Sequence, residues 1–216
     1  MKAKRVFAVL LLVPMVLLLF SCSKPMPREE YTAKLSSLTN MDGSGEVYIH
    51  MPYEELSAKL EAAEIPYRSS GGDGVITVGP SNEPPVFQYD FGDFLAKLSH
   101  VQGIASSDNL VYIQMPQSKE GLANGDSVEK LKELYPDYEY LKNPGREAED
   151  APYFLPAHWR AEPQAIGGWF IKEIWKPNGD LIVSAIEASG ADLSDIVFNI
   201  QIRFIPAAVA QEHDWQ

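Results

Sequence analysis

Histidine is the side chain that most often serves acid–base catalysis and metal binding, and this chain has four of them. None of His50, His100, His158 and His213 belongs to a zinc-binding motif such as HExxH. The GxSxG motif of hydrolase nucleophiles is absent, and there is a single cysteine. We therefore predict no catalytic residue, metal ion or cofactor, and we interpret His50 as a solvent-exposed strand residue.

The carboxylates are numerous, but neighbouring pairs such as Glu54 with Glu55 lie in polar segments. General acid catalysis needs a carboxyl group in a dry pocket, so solvated charge is the better interpretation of these pairs. With 18 basic and 30 acidic residues, the chain has a net charge of −12. This charge disfavours nucleic acid as a partner, whereas a basic protein would be attracted to it.

An unusual group of residues combines His158, Trp159 and Arg160 with Trp169. Tryptophan and arginine are enriched at the energetic centres of binding interfaces, and aromatic rings also stack on sugars. We therefore treat these four residues as a candidate binding patch. The alternative is a loop that its own tryptophan fixes over the core.

The N-terminus is typical of a secretory signal peptide. Lys2, Lys4 and Arg5 precede an apolar run over residues 6–20, which is short for a membrane-spanning helix. The following Leu19-Phe20-Ser21-Cys22 resembles the lipobox of bacterial lipoproteins. The resemblance covers only this end of the chain and implies cleavage before Cys22, which would carry lipid.

A lipid on Cys22 would anchor the mature protein to a membrane of the cell envelope. The residue after the cysteine is Ser23, whereas in lipoproteins an aspartate at this position implies retention in the inner membrane. By the same resemblance, Ser23 favours the outer membrane, with the protein facing the periplasm, if the source has such a membrane. Removal of Lys2, Lys4 and Arg5 would leave 15 basic against 30 acidic residues, a net charge of −15.

Composition shifts divide the chain into six predicted segments. These are a signal peptide (1–21), the lipidated Cys22 with a flexible tether (22–44), an α+β unit (45–142), a linker (143–152), an antiparallel β segment in the same globular domain (153–206) and a loose tail (207–216).

The fold class that the patterns predict is α+β, with helices on one face of an antiparallel sheet. Residues 47–51 alternate as a strand, a helix begins at Pro52, a hairpin surrounds Gly72, Asp90 caps a second helix, and residues 111–115 form a strand. This order matches the ferredoxin-like βαββαβ unit. VYIHMP from Val47 and VYIQMP from Val111 are near-identical, through either duplication or chance.

The C-terminal part predicts an antiparallel hairpin followed by one more strand. Asn178-Gly179 is a strong two-residue turn signal between two apolar runs. Residues 196–204 then alternate between apolar and polar side chains, so that Ile196 and Phe198 would face the core and Arg203 would face solvent. These strands either extend the first sheet or stack against a helix at 126–135.

These features favour a lipid-anchored envelope protein that binds another protein without being an enzyme. An inhibitor of the immunity type, which neutralises a basic toxin, is one such protein. A lipoprotein that binds a glycan or a small molecule through the Trp159 and Trp169 patch is an alternative. A hydrolase of unrecognised family that uses carboxylates is a further one.

Overall fold

The protein is described here from a computed structural model, which covers residues 26–70, 74–80, 85–91, 109–142 and 167–212. Within these ranges the chain forms an open sheet of eight strands that is antiparallel throughout, accompanied by helices. The predicted α+β class with an antiparallel sheet is therefore confirmed.

The first half of the sheet is a run of short strands. They are β1 (Tyr67–Ser70), β2 (Val75–Val78), β3 (Phe87–Asp90) and β4 (Tyr112–Met115). Each pairs with the next along the chain, for example Tyr89 with Ile113. The predicted strands around Gly72 and at residues 111–115 are thus present.

The second half of the sheet contains β5 (Glu139–Lys142), β6 (Gly168–Trp175), β7 (Leu181–Ala188) and β8 (Val197–Ile205). The predicted hairpin joins β6 and β7, and Gly179 in its turn has a φ of 87°, which glycine adopts without steric cost. β8 pairs with β4, so the C-terminal strands extend the first sheet. The strand order is β1-β2-β3-β4-β8-β7-β6-β5.

The helices are α1 (Arg28–Leu38), α2 (Tyr53–Ala62), α3 (Val128–Leu134) and the short α4 (Ala207–Glu212). α2 follows Pro52 as predicted and buries Leu56 and Leu60. The cap of α3 is Ser127, whose Oγ accepts from the Lys130 N–H at 3.3 Å. No helix in the described ranges has the length and apolar character needed to cross a membrane.

Alternate residues of β7 are buried on opposite sides of the sheet. Ile182 and Ile186 belong to the main core, together with apolar residues of α1, α2, α3 and the first four strands. Leu181, Val183 and Ala185 form a second cluster with Trp169, Ile205 and Ala210 of α4. The sheet is therefore buried on both faces along β7, which explains why that strand is an almost continuous apolar run.

The predicted flexible tether over residues 22–44 differs from the structure. α1 lies within it, and Tyr31 and Leu35 of that helix are 2% and 1% exposed in the main core. These two residues are four apart and so lie on one helix face, but the rest of the helix is too polar to show a helical period. The folded part therefore includes residues well before Gly45.

The predicted strand at residues 47–51 was also wrong, because this segment forms turns. Val47, Ile49 and Met51 are buried as the alternation suggested, but His50 has a φ of 78°, in the left-handed region. The first hexapeptide lies beside the residues that immediately precede the second, with the His50 N–H donating to the Leu110 carbonyl at 2.7 Å. Since they differ in conformation, the structure does not support a duplicated strand–helix unit.

The ferredoxin-like arrangement is not confirmed. Its expected first strand is missing, and Asp90, predicted as a helix cap, is the last residue of β3. The helix predicted after Asp90, carrying Phe91 to Val101, lies outside the described ranges from residue 92 onward. The linker at 143–152 lies outside them as well. In the predicted loose tail, residues 207–212 form α4, where Ala210 is fully buried.

Candidate functional site

The residues singled out from the sequence are only partly within the described ranges. Cys22, His158, Trp159 and Arg160 lie outside them. Trp169 lies within β6 and is fully buried in the second cluster on the sheet. This corrects its assignment to a surface binding patch, because a side chain with no exposed area cannot contact a partner.

An exposed apolar surface lies instead at the connection between β7 and β8. Leu193, Ile196 and Phe198 are 54%, 43% and 46% exposed, and we call these three residues the 193–198 patch. Among the described residues only one other large apolar side chain is exposed, Trp175 at 38%. Three of the four thus fall within six consecutive residues, whereas scattered single residues are the norm on protein surfaces.

A β-bulge explains why Phe198 is exposed. Glu187 of β7 pairs with Asn199, but the next residue, Ala188, pairs with Val197, so Phe198 is an extra residue without a partner. Val197 takes the buried position that the alternating pattern gives to Phe198. Bulges of this kind redirect side chains and are common beside functional sites.

The loop that carries the patch is held by a network of hydrogen bonds. The Asp195 carboxylate accepts from the Ser189 hydroxyl at 2.9 Å and from the Asp192 N–H at 2.8 Å. The Ile196 N–H donates to the Ser189 Oγ at 3.0 Å. The loop is therefore ordered by its own polar groups while its apolar side chains remain at the surface.

The same loop packs against the N-terminus of α3. The Glu129 N–H donates to the Leu193 carbonyl at 3.1 Å, and the Lys132 Nζ donates to the Ala191 carbonyl at 2.9 Å. Asp192 and Glu129 are exposed acidic residues beside the patch. The result is a fixed apolar surface with carboxylates at its border.

A groove of about 550 Å³ lies at the other end of β7, and we call it the His50 groove. Its lining includes Asp42, Gly43, Ser44, Gly45, Tyr48, Ile49, His50, Lys176, Asn178, Asp180, Ile182 and Phe204. The His50 ring meets the Phe204 ring edge-on, with 4.1 Å between centroids. No hydrogen bond joins His50 to a carboxylate within the described ranges, so the groove contains no catalytic pair of that type.

A smaller depression of about 260 Å³ shares Asp42 with this groove. Its ionisable groups are already paired, since Tyr135 donates to Glu120 at 2.5 Å and Lys172 forms an ion pair with Asp137. Burial and the Glu120 hydrogen bond raise the pKa of Tyr135 far above its usual value. The tyrosine is therefore a structural hydrogen-bond donor rather than an acid at neutral pH.

A row of buried polar residues crosses the middle of the sheet on the face of the second cluster. Asp90, Tyr112 and Arg203 stand opposite one another on β3, β4 and β8, and all three are buried. The Arg203 Nη2 donates to the Gln201 Oε1 at 2.9 Å, and its guanidinium lies 5.5 Å from the Tyr112 ring centroid. Buried charges of this kind are rare unless paired, so the row is a structural network whose disruption would destabilise the fold strongly.

Burial shifts the ionisation of groups in this row and of Glu187, a half-buried residue further along β7. Burial raises the pKa of Glu187 to about 7, against smaller opposing effects of Asn199 and Arg203. Burial also raises the pKa of Tyr112 to about 12 and lowers that of Arg203. Perturbed pKa values also arise in purely structural networks, and no described cavity opens onto this row.

Two further kinds of arrangement bear on chemistry, a serine–lysine pair and a cluster of metal ligands. Ser127 and Lys130 have the SxxK spacing of some acyl-transfer enzymes. The Ser127 Oγ caps α3, and the Lys130 Nζ binds Asp126 at 2.7 Å, so both are structural. No group of three or more potential ligands clusters in the described part of the chain in a way that could hold a metal ion.

The comparisons with known proteins give no family for this chain. No protein-family model, curated protein or solved structure matches it. Any conclusion about function therefore depends on the residues and the geometry described above.

Proposed function

We propose that this protein is a lipid-anchored protein of the bacterial cell envelope that binds another protein and is not an enzyme. The basic start, the uncharged apolar run and the Leu19-Phe20-Ser21-Cys22 sequence support the anchor. One observation carries the binding role: a β-bulge and a hydrogen-bonded loop keep Leu193, Ile196 and Phe198 exposed.

Keeping these side chains exposed is unfavourable unless something covers them. Burial of a leucine, isoleucine or phenylalanine side chain contributes roughly 1.5–3 kcal/mol. The alternating sequence would let Phe198 face the core, yet the bulge places Val197 there instead. A rigid apolar centre with a polar border is also the usual anatomy of a binding interface, because little flexibility is lost on association.

The charge of the chain indicates the chemistry of the partner. Asp192 and Glu129 border the patch, and the whole chain carries a net charge of −12. A protein with an apolar pocket surrounded by lysine and arginine would be complementary and would be steered toward this surface. A basic toxin that an immunity-type inhibitor neutralises in the periplasm is one partner of this kind.

The anchor is tested by metabolic labelling with a palmitate analogue in a bacterial host that processes lipoproteins. The full-length chain should incorporate the label and fractionate with membranes. The Cys22→Ser variant should incorporate none and lose the cleavage step. Labelling of both proteins, or of neither, would contradict the assignment of Cys22.

The binding role is tested with the tethered protein in its own envelope. Co-purification at low and high salt should yield one stoichiometric partner, and its affinity should then be measured with both components purified. Leu193→Ser and Phe198→Ser should each weaken the complex at least about tenfold. Trp175→Ser, which removes an exposed apolar side chain elsewhere, is the matched control and should leave the affinity unchanged.

The outcomes of this test are distinct. A partner whose affinity responds to Trp175→Ser but not to the two patch variants would bind elsewhere and would overturn the role of the patch. Failure to isolate any stoichiometric partner from the envelope of the source would overturn the proposed function itself.

A further inference from the structure

We infer that the His50 groove is a binding site for a small organic amine with a flat apolar body. The site is separate from the 193–198 patch, because the hairpin at residues 176–180 and the loop at 189–196 lie at opposite ends of β7. The inference therefore does not depend on the proposed protein-binding role.

The size of the groove fits a small molecule. Its volume of about 550 Å³ lies within the ~300–1,000 Å³ that ligand pockets usually occupy. Ile49, Ile182 and Phe204 contribute an apolar lining, and all three are otherwise buried. A flat hydrocarbon body can cover this lining and the edge of the His50 ring.

One wall of the groove is a preformed turn. The Asp42 Oδ1 accepts from the Ser44 N–H at 3.0 Å and from the Ser44 hydroxyl at 2.6 Å. Gly43 has a φ of 77°, and a Cβ atom there would lie 2.9 Å from Ile49 Cγ1. The turn is therefore packed directly against the apolar lining, and a ligand would meet a rigid wall.

The opposite wall is the β6–β7 hairpin. Both oxygens of the Asp180 carboxylate already accept hydrogen bonds within the protein, from the Ala207 N–H at 2.9 Å and from the Asn178 side chain at 2.6 Å. No described group forms a hydrogen bond with the Lys176 ammonium, which lies near enough to Asp42 to influence its ionisation. Asp42 is thus the carboxylate that a ligand would reach, and Lys176 is the cation that it would meet.

The balance of charge favours a cationic ligand. The lining contains two carboxylates and one ammonium group, and the chain as a whole is acidic. Burial would raise the pKa of Asp42, but the Ser44 hydrogen bonds and the Lys176 charge hold it below its usual value, so the carboxylate is ionised at neutral pH. An ammonium group is the natural partner of such a carboxylate.

The backbone at His50 supports a binding role for this groove. A non-glycine residue at a φ of 78° is strained, and such strain is concentrated at functional sites. The surrounding backbone enforces it, with the His50 N–H bonded to Leu110 and the Met51 N–H bonded to Tyr48. The strained turn is what places the imidazole beside Phe204 at the groove.

The test uses two probes of nearly the same shape and opposite charge, 2-phenylethylamine and 3-phenylpropanoate. Each is titrated into the 15N-labelled protein, and the amide signals are followed by NMR. The amine should shift the signals of Gly43, Ser44 and His50 with a Kd near or below about 1 mM, and the carboxylate should not.

Three variants test which charged side chains determine the affinity for the amine. Asp42→Asn should weaken amine binding about tenfold, while Lys176→Gln should strengthen it a few-fold by removing a like charge. Asp192→Asn, at the other end of β7, is the matched control for a lost carboxylate and should leave the affinity for the amine unchanged. If Asp42→Asn alters the fold, the Lys176→Gln variant, at an exposed position, still shows whether the groove prefers a cation or an anion.

Equal or stronger binding of the carboxylate, or weaker amine binding by Lys176→Gln, would overturn the inference. So would the absence of any shift at the groove with both probes at millimolar concentration. None of these outcomes bears on the 193–198 patch, whose test uses other residues and another ligand.

Discussion

The ring of His50 lies edge-on to the ring of Phe204, with 4.1 Å between the two ring centroids. His50 belongs to a turn before α2, and Phe204 belongs to β8, so the contact joins two parts of the chain that are distant in sequence. It depends on a left-handed backbone conformation at His50, which a histidine adopts only at a cost.

This cost predicts an unusual order of stability at position 50. His50→Ala loses the ring contact and keeps the strain, and we expect it to destabilise the fold by about 1–2 kcal/mol. His50→Gly loses the same contact but removes the strain, so it should be about 1 kcal/mol more stable than the alanine variant. Urea unfolding of the three proteins measures this. An alanine variant as stable as the glycine variant would show that the backbone is not strained.

The half-buried Glu187 predicts a pH dependence of stability. Its pKa is raised by burial from 4.5 to about 7 in the folded state, so the folded protein binds a proton more tightly than the unfolded chain. Stability should therefore fall as the pH rises from about 4.5 to about 7 and level off above, by at most about 3 kcal/mol. Glu187→Gln should remove this slope and stabilise the protein at pH 8.

The difference in stability between the unchanged protein and Glu187→Gln isolates the contribution of Glu187, since the other titrating groups contribute equally to both. Denaturant unfolding at several pH values between 5 and 8 is the measurement. Parallel stability profiles would mean that Glu187 is solvated in the folded protein and that its carboxyl group titrates normally.

The buried Arg203 predicts an energetic coupling along the polar row. Arg203→Met removes the guanidinium that contacts Gln201 and the Tyr112 ring, and it should destabilise the fold by about 3 kcal/mol. The positive charge also lowers the pKa of Glu187 somewhat, so that pKa should rise further in the variant.

A double-mutant cycle measures this coupling. Glu187→Gln in the Arg203→Met background should recover part of the lost stability, because the Glu187 carboxyl group, whose charge Arg203 stabilises, is then absent. NMR titration of Glu187 supplies the independent readout. Strictly additive free energies together with an unchanged pKa would show that the two side chains do not interact.

The burial of α1 predicts that the N-terminal segment is part of the folding unit. Leu35→Ala should destabilise the protein by about 2–4 kcal/mol, because it leaves a cavity in the main core. Lys34→Ala, at an exposed position of the same helix, should change stability by less than about 0.5 kcal/mol. Equal effects of the two variants would support the flexible tether that the sequence suggested.

Elements with a strong local signal in the sequence were predicted correctly, and elements without one were not. The hairpin at Asn178-Gly179 was predicted correctly, since its turn residues act through local backbone conformation. α2 was predicted from its Pro52 start and the spacing of Leu56 and Leu60. The segment around residues 47–51 was wrong in conformation although its buried residues were right, since alternation does not distinguish a strand from a series of turns that buries the same side chains.

The candidate sites were the least predictable part. Trp169 was a candidate binding residue, with burial over the core as the alternative, and the structure places it in the core, because burial depends on the strands and helix that cover it. Phe198 was expected inside and is exposed, because a single-residue shift in the pairing of β7 with β8 reverses its direction. Neither outcome has a signal in the local sequence.

By itself the sequence determined the α+β class, the antiparallel C-terminal strands and the acidic character of the protein, because these follow from local periodicity, turn residues and charge. Only the tertiary structure decided which residues meet at each end of β7. The bulge at Phe198, the strain at His50 and the burial of Arg203 all arise from contacts between distant segments, and such contacts are set by packing and register rather than by the residues next to them in the chain.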